Sequence, residues 1–421
     1  MPALSQIPAQ PQDAFNDYAR VVADQQLAVV FGFRANLDSE RLSQAVAELI
    51  ASQPVLACRF VTQGRYAWHE TVAGAGAVER IDDENAWARA IFEAGQPLPR
   101  DAAHLAVTHV VSPLGDALAL RIDHTAADGQ GARACAELLA AAYSGTLEAD
   151  SRATATDRSW RRLRRAVGWP RLMRAARRRK DPPPTWGIPH LLGETGVGHH
   201  ELLTLSAERF SAVRAWGRQH RYTVNDILLG AFYRALFELL SPREGEPMVV
   251  RVSFDQRRYL DRDDPMPAAS NLSSIEPVSL GSLAGEQFPG TVARAATEMR
   301  HLKESLPGLG SVLLLETLYR LRGYEGTGRG VVEGMRRGQQ AGRTYPFLSN
   351  FGVLQPEKVH FGDVIPDRAV MLPVVGHAPF AMLGASSFGG RLTLSMGFHE
   401  GEVVPHIARS ILDSIDADLR L

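Results

Sequence analysis

The residues Asp123-His124-Thr125-Ala126-Ala127-Asp128-Gly129 carry the types and spacing from which chemistry could be built. Histidine is the natural general base near neutral pH, because an unperturbed imidazole titrates at about 6.5. One ring nitrogen can take a proton from a hydroxyl or an amine while a partner holds the other. A histidine and an aspartate four residues apart recur often by chance. Gly129, directly after the aspartate, and an apolar extended run directly before the histidine make the segment more specific. A glycine there lets the backbone turn closely.

Such a loop needs a strand before it and a helix after it. Leu105 to Val111 and Ala117 to Ile122 read as strands joined by a Ser112-Pro113-Leu114-Gly115-Asp116 turn. A helix is expected from about Gln130 to Tyr143. Upstream, Leu27 to Asn36 reads as a strand, Asp38 as the N-cap of a helix ended by Pro54, and Val55 to Val61 as extended chain. The second half begins with helices at Ala207 to Arg218 and Val224 to Leu240, the latter capped by Thr223. A strand follows at Met248 to Phe254, and helices at Thr291 to Ser305 and Ser311 to Leu321. Strands at Ala369 to Pro373, Ala381 to Ala385 and Leu392 to Gly397 precede a closing helix from Val404. Both halves mix strands and helices without regular alternation, so the expected class is α+β. At 421 residues the chain exceeds one ordinary core, and two lobes are expected, 1–185 and 186–421.

These segments resemble the condensation-domain and chloramphenicol-acetyltransferase-like acyltransferase superfamily. The motif is similar to its His-His-x-x-x-Asp-Gly signature, with Asp123 in place of the first His. Leu37 to Leu42 with Gln53 to Phe60, Thr223 to Leu229, Asp255-Gln256-Arg257-Arg258-Tyr259-Leu260 followed by Asn271, and Asn350-Phe351-Gly352 resemble further elements in family order. The resemblance covers nearly the whole chain. It implies two chloramphenicol-acetyltransferase-like lobes in a V-shaped pseudo-dimer with a tunnel between them. His124 is then the base that deprotonates an alcohol or amine acceptor, which attacks an acyl thioester directly. The donor is acyl-coenzyme A or a phosphopantetheinyl carrier protein, and the chemistry needs no metal. Asp128 turns from substrate to pair with Arg257 and so fixes the loop. Asp123 and Gly129 support the loop. Asn271, Ser349 and Asn350 are candidates for the site, with turn hydrogen bonding as their simpler role. Arg258 reads as solvated charge, and His377 and His399 as structural residues.

Composition narrows the alternatives. A formal net charge of -1 offers no global attraction to nucleic acid or anionic membrane. The two cysteines, Cys58 and Cys135, exclude a disulfide framework and read as buried, inert thiols. No signal peptide and no run long enough to span a bilayer is legible. A cytoplasmic, freestanding enzyme is therefore expected. Arg158 to Lys180 is dense in arginine. The cluster could bind an acidic carrier protein, the phosphates of coenzyme A or an anionic lipid surface, with Arg177, Arg178 and Arg179 as the donor-binding candidates, the alternative being a solvated basic helix.

Overall fold

The computed structural model describes residues 6–147, 157–178, 182–190, 195–260, 266–402 and 405–421. The strand Gln26–Gly32 shows how the first core is built. All seven of its residues are buried, as expected of a strand covered on both faces. Leu27, Val29 and Phe31 point to one side, onto the helices Ser39–Ser52 and Gly129–Ser144. Ala28 and Val30 point to the other, onto Ala86, Ala90 and Ala94 of the helix Ala86–Gly95. Alternation with a period of two thus feeds two apolar layers from one strand.

Gln26–Gly32 lies in a five-stranded sheet ordered Arg368–Leu372, Gln26–Gly32, Ala117–Asp123, Leu105–Val111, Val78–Asp82. Its last pair is parallel and the others antiparallel. The first of these strands comes from the far end of the sequence. A second, eight-stranded sheet includes Ser273–Leu280, Met248–Asp255, Phe347–Leu354, Met382–Phe388 and Arg391–His399, and ends on the short strand Ala23–Asp24. Each sheet therefore takes a strand from the opposite end of the chain. The second core packs this sheet against the helices Val224–Leu240, Phe288–Glu304 and Pro405–Asp418.

Local signals read from the sequence recur in the structure. Asp38 Oδ1 accepts from the Glu40 and Arg41 amides at 2.9 and 3.0 Å. Thr223 and Asp226 form a reciprocal capping box. Two expectations need correction. The segment after Pro54 begins with the 3₁₀ turn Pro54–Ala57 before the strand Cys58–Gln63, because the fixed φ of proline suits the first position of a helical turn. The helix expected over Ser311 to Leu321 runs Leu309–Gln340, broken at Gly323, where φ is 70°. A Cβ on Gly323 would lie 2.5 Å from the Arg65 carbonyl oxygen, so the break and the close approach both depend on glycine.

The arginine-rich stretch is amphipathic. Its helices Arg161–Val167 and Trp169–Arg178 bury Leu163, Val167, Leu172 and Ala175 against Leu272, Leu309 and Val312. Arg164 pairs with Glu316 at 2.8 Å, and Arg177 is exposed. Arg178 ends the second helix, and Arg179 lies outside the described residues. Among the described residues, no helix is long and apolar enough to cross a membrane.

Candidate active site

The antiparallel strand Ala117–Asp123 delivers the motif. The loop of 124–128 then leads into the helix Gly129–Ser144, whose N-cap is Asp128. Asp128 is fully buried. Its Oδ1 accepts from the Gly131 amide at 2.8 Å and its Oδ2 from the Leu272 amide at 2.6 Å. Arg257 Nη1 donates to both oxygens, at 3.0 and 2.9 Å. Burial alone would raise this carboxyl, but the Arg257 guanidinium and these hydrogen bonds outweigh it and hold the group below its ordinary range. Its acceptor capacity is spent on Arg257 and the two amides. Arg257 also donates to the Ser270 carbonyl at 3.1 Å and to Asp255 at 3.3 Å.

His124 is only partly buried, whereas Asp123, Thr125, Ala126, Ala127 and Asp128 around it are buried. The loop is held through its carbonyls. Asn271 Nδ2 donates to the His124 and Thr125 carbonyls at 2.8 and 3.0 Å, and Arg158 Nη2 to that of Ala126 at 2.7 Å. Asn16 Nδ2 donates to the His124 carbonyl at 2.7 Å and meets His124 Nδ1 at 2.9 Å. With the amide so placed, Nδ1 is an acceptor and the neutral ring carries its proton on Nε2.

A buried polar core lies behind the loop. Asp13 accepts from Arg158 Nη1 at 2.9 Å, Asn271 Nδ2 at 2.8 Å and the Gln10 amide at 2.8 Å. Burial alone would raise this carboxyl, but the Arg158 charge above all brings it down, to about 2. Arg158 Nη1 also lies 2.9 Å from His69 Nε2. A guanidinium can only donate, so His69 Nε2 accepts and its 3.1 Å contact with Asp13 is not a hydrogen bond. His69 Nδ1–H then faces His104 Nε2 at 2.9 Å, which leaves His104 Nδ1–H toward Asp123, 4.0 Å away. Both histidines are neutral in this arrangement. Their pKa values are lowered, first by burial, that of His104 to about 3. Asp123 in turn accepts from Thr125 and pairs with Arg20 at 2.5 Å, so it orders the loop. A cavity of about 220 Å³ opens beside Asp123 and His104, lined also by Arg20, Phe60, Arg100 and Tyr324.

The remaining predicted positions divide. Asn271 is part of the site's frame. Ser349 and Asn350 lie on the strand Phe347–Leu354, where Ser349 meets Ser253 at 3.2 Å and Asn350 accepts from the Gly352 amide at a bulge. Neither touches His124. Their neighbour Phe351 does bear on the motif, because a Cβ on Gly129 would fall 2.7 Å from its ring. Gly129 is thus required for close approach. Its φ is not positive, so the glycine serves this contact and not a left-handed turn. Asp13, Asn16, Arg20, His69, His104 and Arg158 were not singled out from sequence. The only signal is the helical i, i+3 spacing of Asp13 and Asn16. The partner of a buried charge is set by distant segments.

No family model matches the sequence, and no curated protein matches it significantly. Solved structures do match over the full length. A trichothecene 15-O-acetyltransferase from Fusarium sporotrichioides superposes with a TM-score of 0.71 at 11% identity, covering 98% of this chain and 95% of that one. The first condensation domain of the CDA synthetase gives 0.64 at 16% identity, covering 98% and 96%. The epimerization domain from the third module of tyrocidine synthetase B gives 0.64 at 14% identity, covering 98% and 95%. The chain therefore shares the α+β fold of these condensation and epimerization domains and of the acetyltransferase.

Proposed function

We propose that this chain is an acyltransferase that moves an acyl group from a thioester to an alcohol or amine, with His124 as general base. The observation that carries this reading is the placement of the motif. His124 is partly open to solvent on a loop whose carbonyls are held by Asn16, Asn271 and Arg158, while Asp128 is turned into the protein and spent on Arg257. A base needs access and a fixed approach, and this frame supplies both.

In the proposed reaction the acceptor oxygen or nitrogen attacks the thioester carbonyl carbon. Its proton passes to the His124 imidazole, which becomes an imidazolium. The tetrahedral intermediate collapses with cleavage of the carbon–sulfur bond, and the departing thiolate takes the proton back. No acyl-enzyme forms. The donor is acyl-coenzyme A or an acyl group on a phosphopantetheinyl carrier protein, and Arg177 to Arg179 are the proposed contact for its acidic portion.

The test is thiol release. The protein is incubated with a panel of acyl-coenzyme A and acyl-phosphopantetheine thioesters and candidate acceptors, with products read by mass spectrometry. Acceptor-dependent release that falls roughly 10²–10⁴-fold in His124→Ala is expected. Undiminished turnover in that variant sinks the proposed base. A second reading is a rearrangement or cyclisation on the same fold. It is favoured by the structural match to an epimerization domain. It predicts product without acceptor-dependent thiol release.

A further inference from the structure

Away from the motif, the short strand Ala23–Asp24 pairs with Val375–Gly376, which pairs in turn with the end of Arg391–His399. This register brings together three side chains that the sequence keeps far apart. Asp24 Oδ1 lies 3.4 Å from His377 Nε2, and Asp24 Oδ2 lies 3.0 Å from His399 Nε2. One ligand atom from each residue lies within 4.8 Å of the other two.

The hydrogen bonding at His399 is incomplete. The side chain is 4% exposed. Its Nδ1 faces the Gly196 carbonyl at 3.1 Å and must donate there, which leaves a lone pair on Nε2. Neither Nε2 nor Asp24 Oδ2 has a hydrogen-bond partner, although they are only 3.0 Å apart. Two acceptors so close need a cation between them. A proton on His399 is one answer; a divalent ion is the other, and it would also engage His377, whose ring stacks on that of His399 at 4.7 Å and 4°. His377 Nδ1 lies 3.7 Å from Glu402 Oε1. That carboxylate is itself fixed by the Ala378 amide and Thr195. A backbone carbonyl behind one imidazole and an anchored carboxylate behind the other are the usual outer partners of metal-bound histidines.

We infer that Asp24, His377 and His399 form a binding site for a divalent cation of the zinc type. Two imidazole nitrogens and one carboxylate oxygen suit a borderline-soft ion and not magnesium or calcium. Asp24 and His377 are each about a fifth to a quarter exposed, which leaves a side for ion entry and a water ligand. The ion would join Ala23–Asp24, from the start of the chain, to two strands from its end. The next residue, Gln25, accepts from the His124 amide at 2.8 Å. The site therefore braces the backbone behind the motif and takes no part in the reaction.

The test uses tag-free full-length protein, stripped with chelator and titrated with Co²⁺. One Co²⁺ per chain with visible d–d absorption is expected, displaced by Zn²⁺. The signal should vanish in His399→Ala and weaken at least tenfold in His377→Ala. The partly exposed position of His377 makes the latter variant the safer one to fold. Zn²⁺ should raise the melting temperature of the wild type and leave that of His377→Ala unmoved. Absence of stoichiometric binding, or equal binding by wild type and His377→Ala, overturns the assignment.

Discussion

Arg257 Nη1 lies 3.0 and 2.9 Å from the two oxygens of Asp128, although 129 positions separate the residues in sequence. The same carboxylate caps the helix Gly129–Ser144 and accepts from Leu272. One group thus joins the motif, its helix and the segment after Met248–Asp255.

Breaking this pair from one side should be costly. Arg257→Ala leaves a buried carboxylate with two amide donors. We expect a loss of about 3 kcal/mol, the low end for a broken buried pair, because Arg257 is itself about a quarter exposed. Asp128→Asn should cost about 1–2 kcal/mol through weakened hydrogen bonds. The double variant should lose less than the sum, because the groups act as a unit. Denaturant melts of the four proteins measure the coupling, and strict additivity would show that the pair contributes nothing jointly.

Asn16 should govern the His124 tautomer. Asn16→Ala removes its orienting contact, and turnover should fall on the order of 10–10²-fold with a smaller change in KM. In Asn16→Asp a carboxylate can accept from Nδ1–H and stabilise the imidazolium. That variant should keep more activity than the alanine variant and move the acid limb of the pH–rate profile upward. Identical pH profiles in wild type and Asn16→Asp would remove Asn16 from this role.

Gly129→Ala should destabilise by steric conflict with Phe351. Overpacking of this kind costs about 1–3 kcal/mol. Shortening the ring in Gly129→Ala/Phe351→Leu should restore part of the loss. A double variant no more stable than Gly129→Ala would place the conflict elsewhere.

Stability should decline on the acid side of neutrality through His104. Burial dominates its lowered pKa; Asp123 opposes the shift, and His69, Arg158 and Arg20 reinforce it. The unfolded imidazole takes up a proton below about 6.5, whereas the folded one resists until about 3. Between these values the unfolded chain binds more protons, so stability falls as pH falls, by up to about 1.4 kcal/mol per pH unit. Melts at pH 7, 6 and 5 should show a shallower decline in His104→Gln than in wild type. Parallel declines would mean that His104 is not held neutral.

The sequence by itself determined the local pieces. The caps at Asp38 and Thr223, the strand leading to His124 and the helix leaving it are written in contiguous residues. Their hydrogen bonds and apolar periodicity are completed within a few positions. The order of the motifs along the chain also carried the resemblance to the fold. Tertiary structure alone decided the rest. It sent Arg368–Leu372 back beside Gln26–Gly32, buried Arg158 out of an arginine-rich stretch that reads as surface, and turned Asn16 onto His124. It also drew Asp24, His377 and His399 into one cluster. A buried polar group is satisfied by whichever distant segment packs against it, and no local pattern encodes that choice.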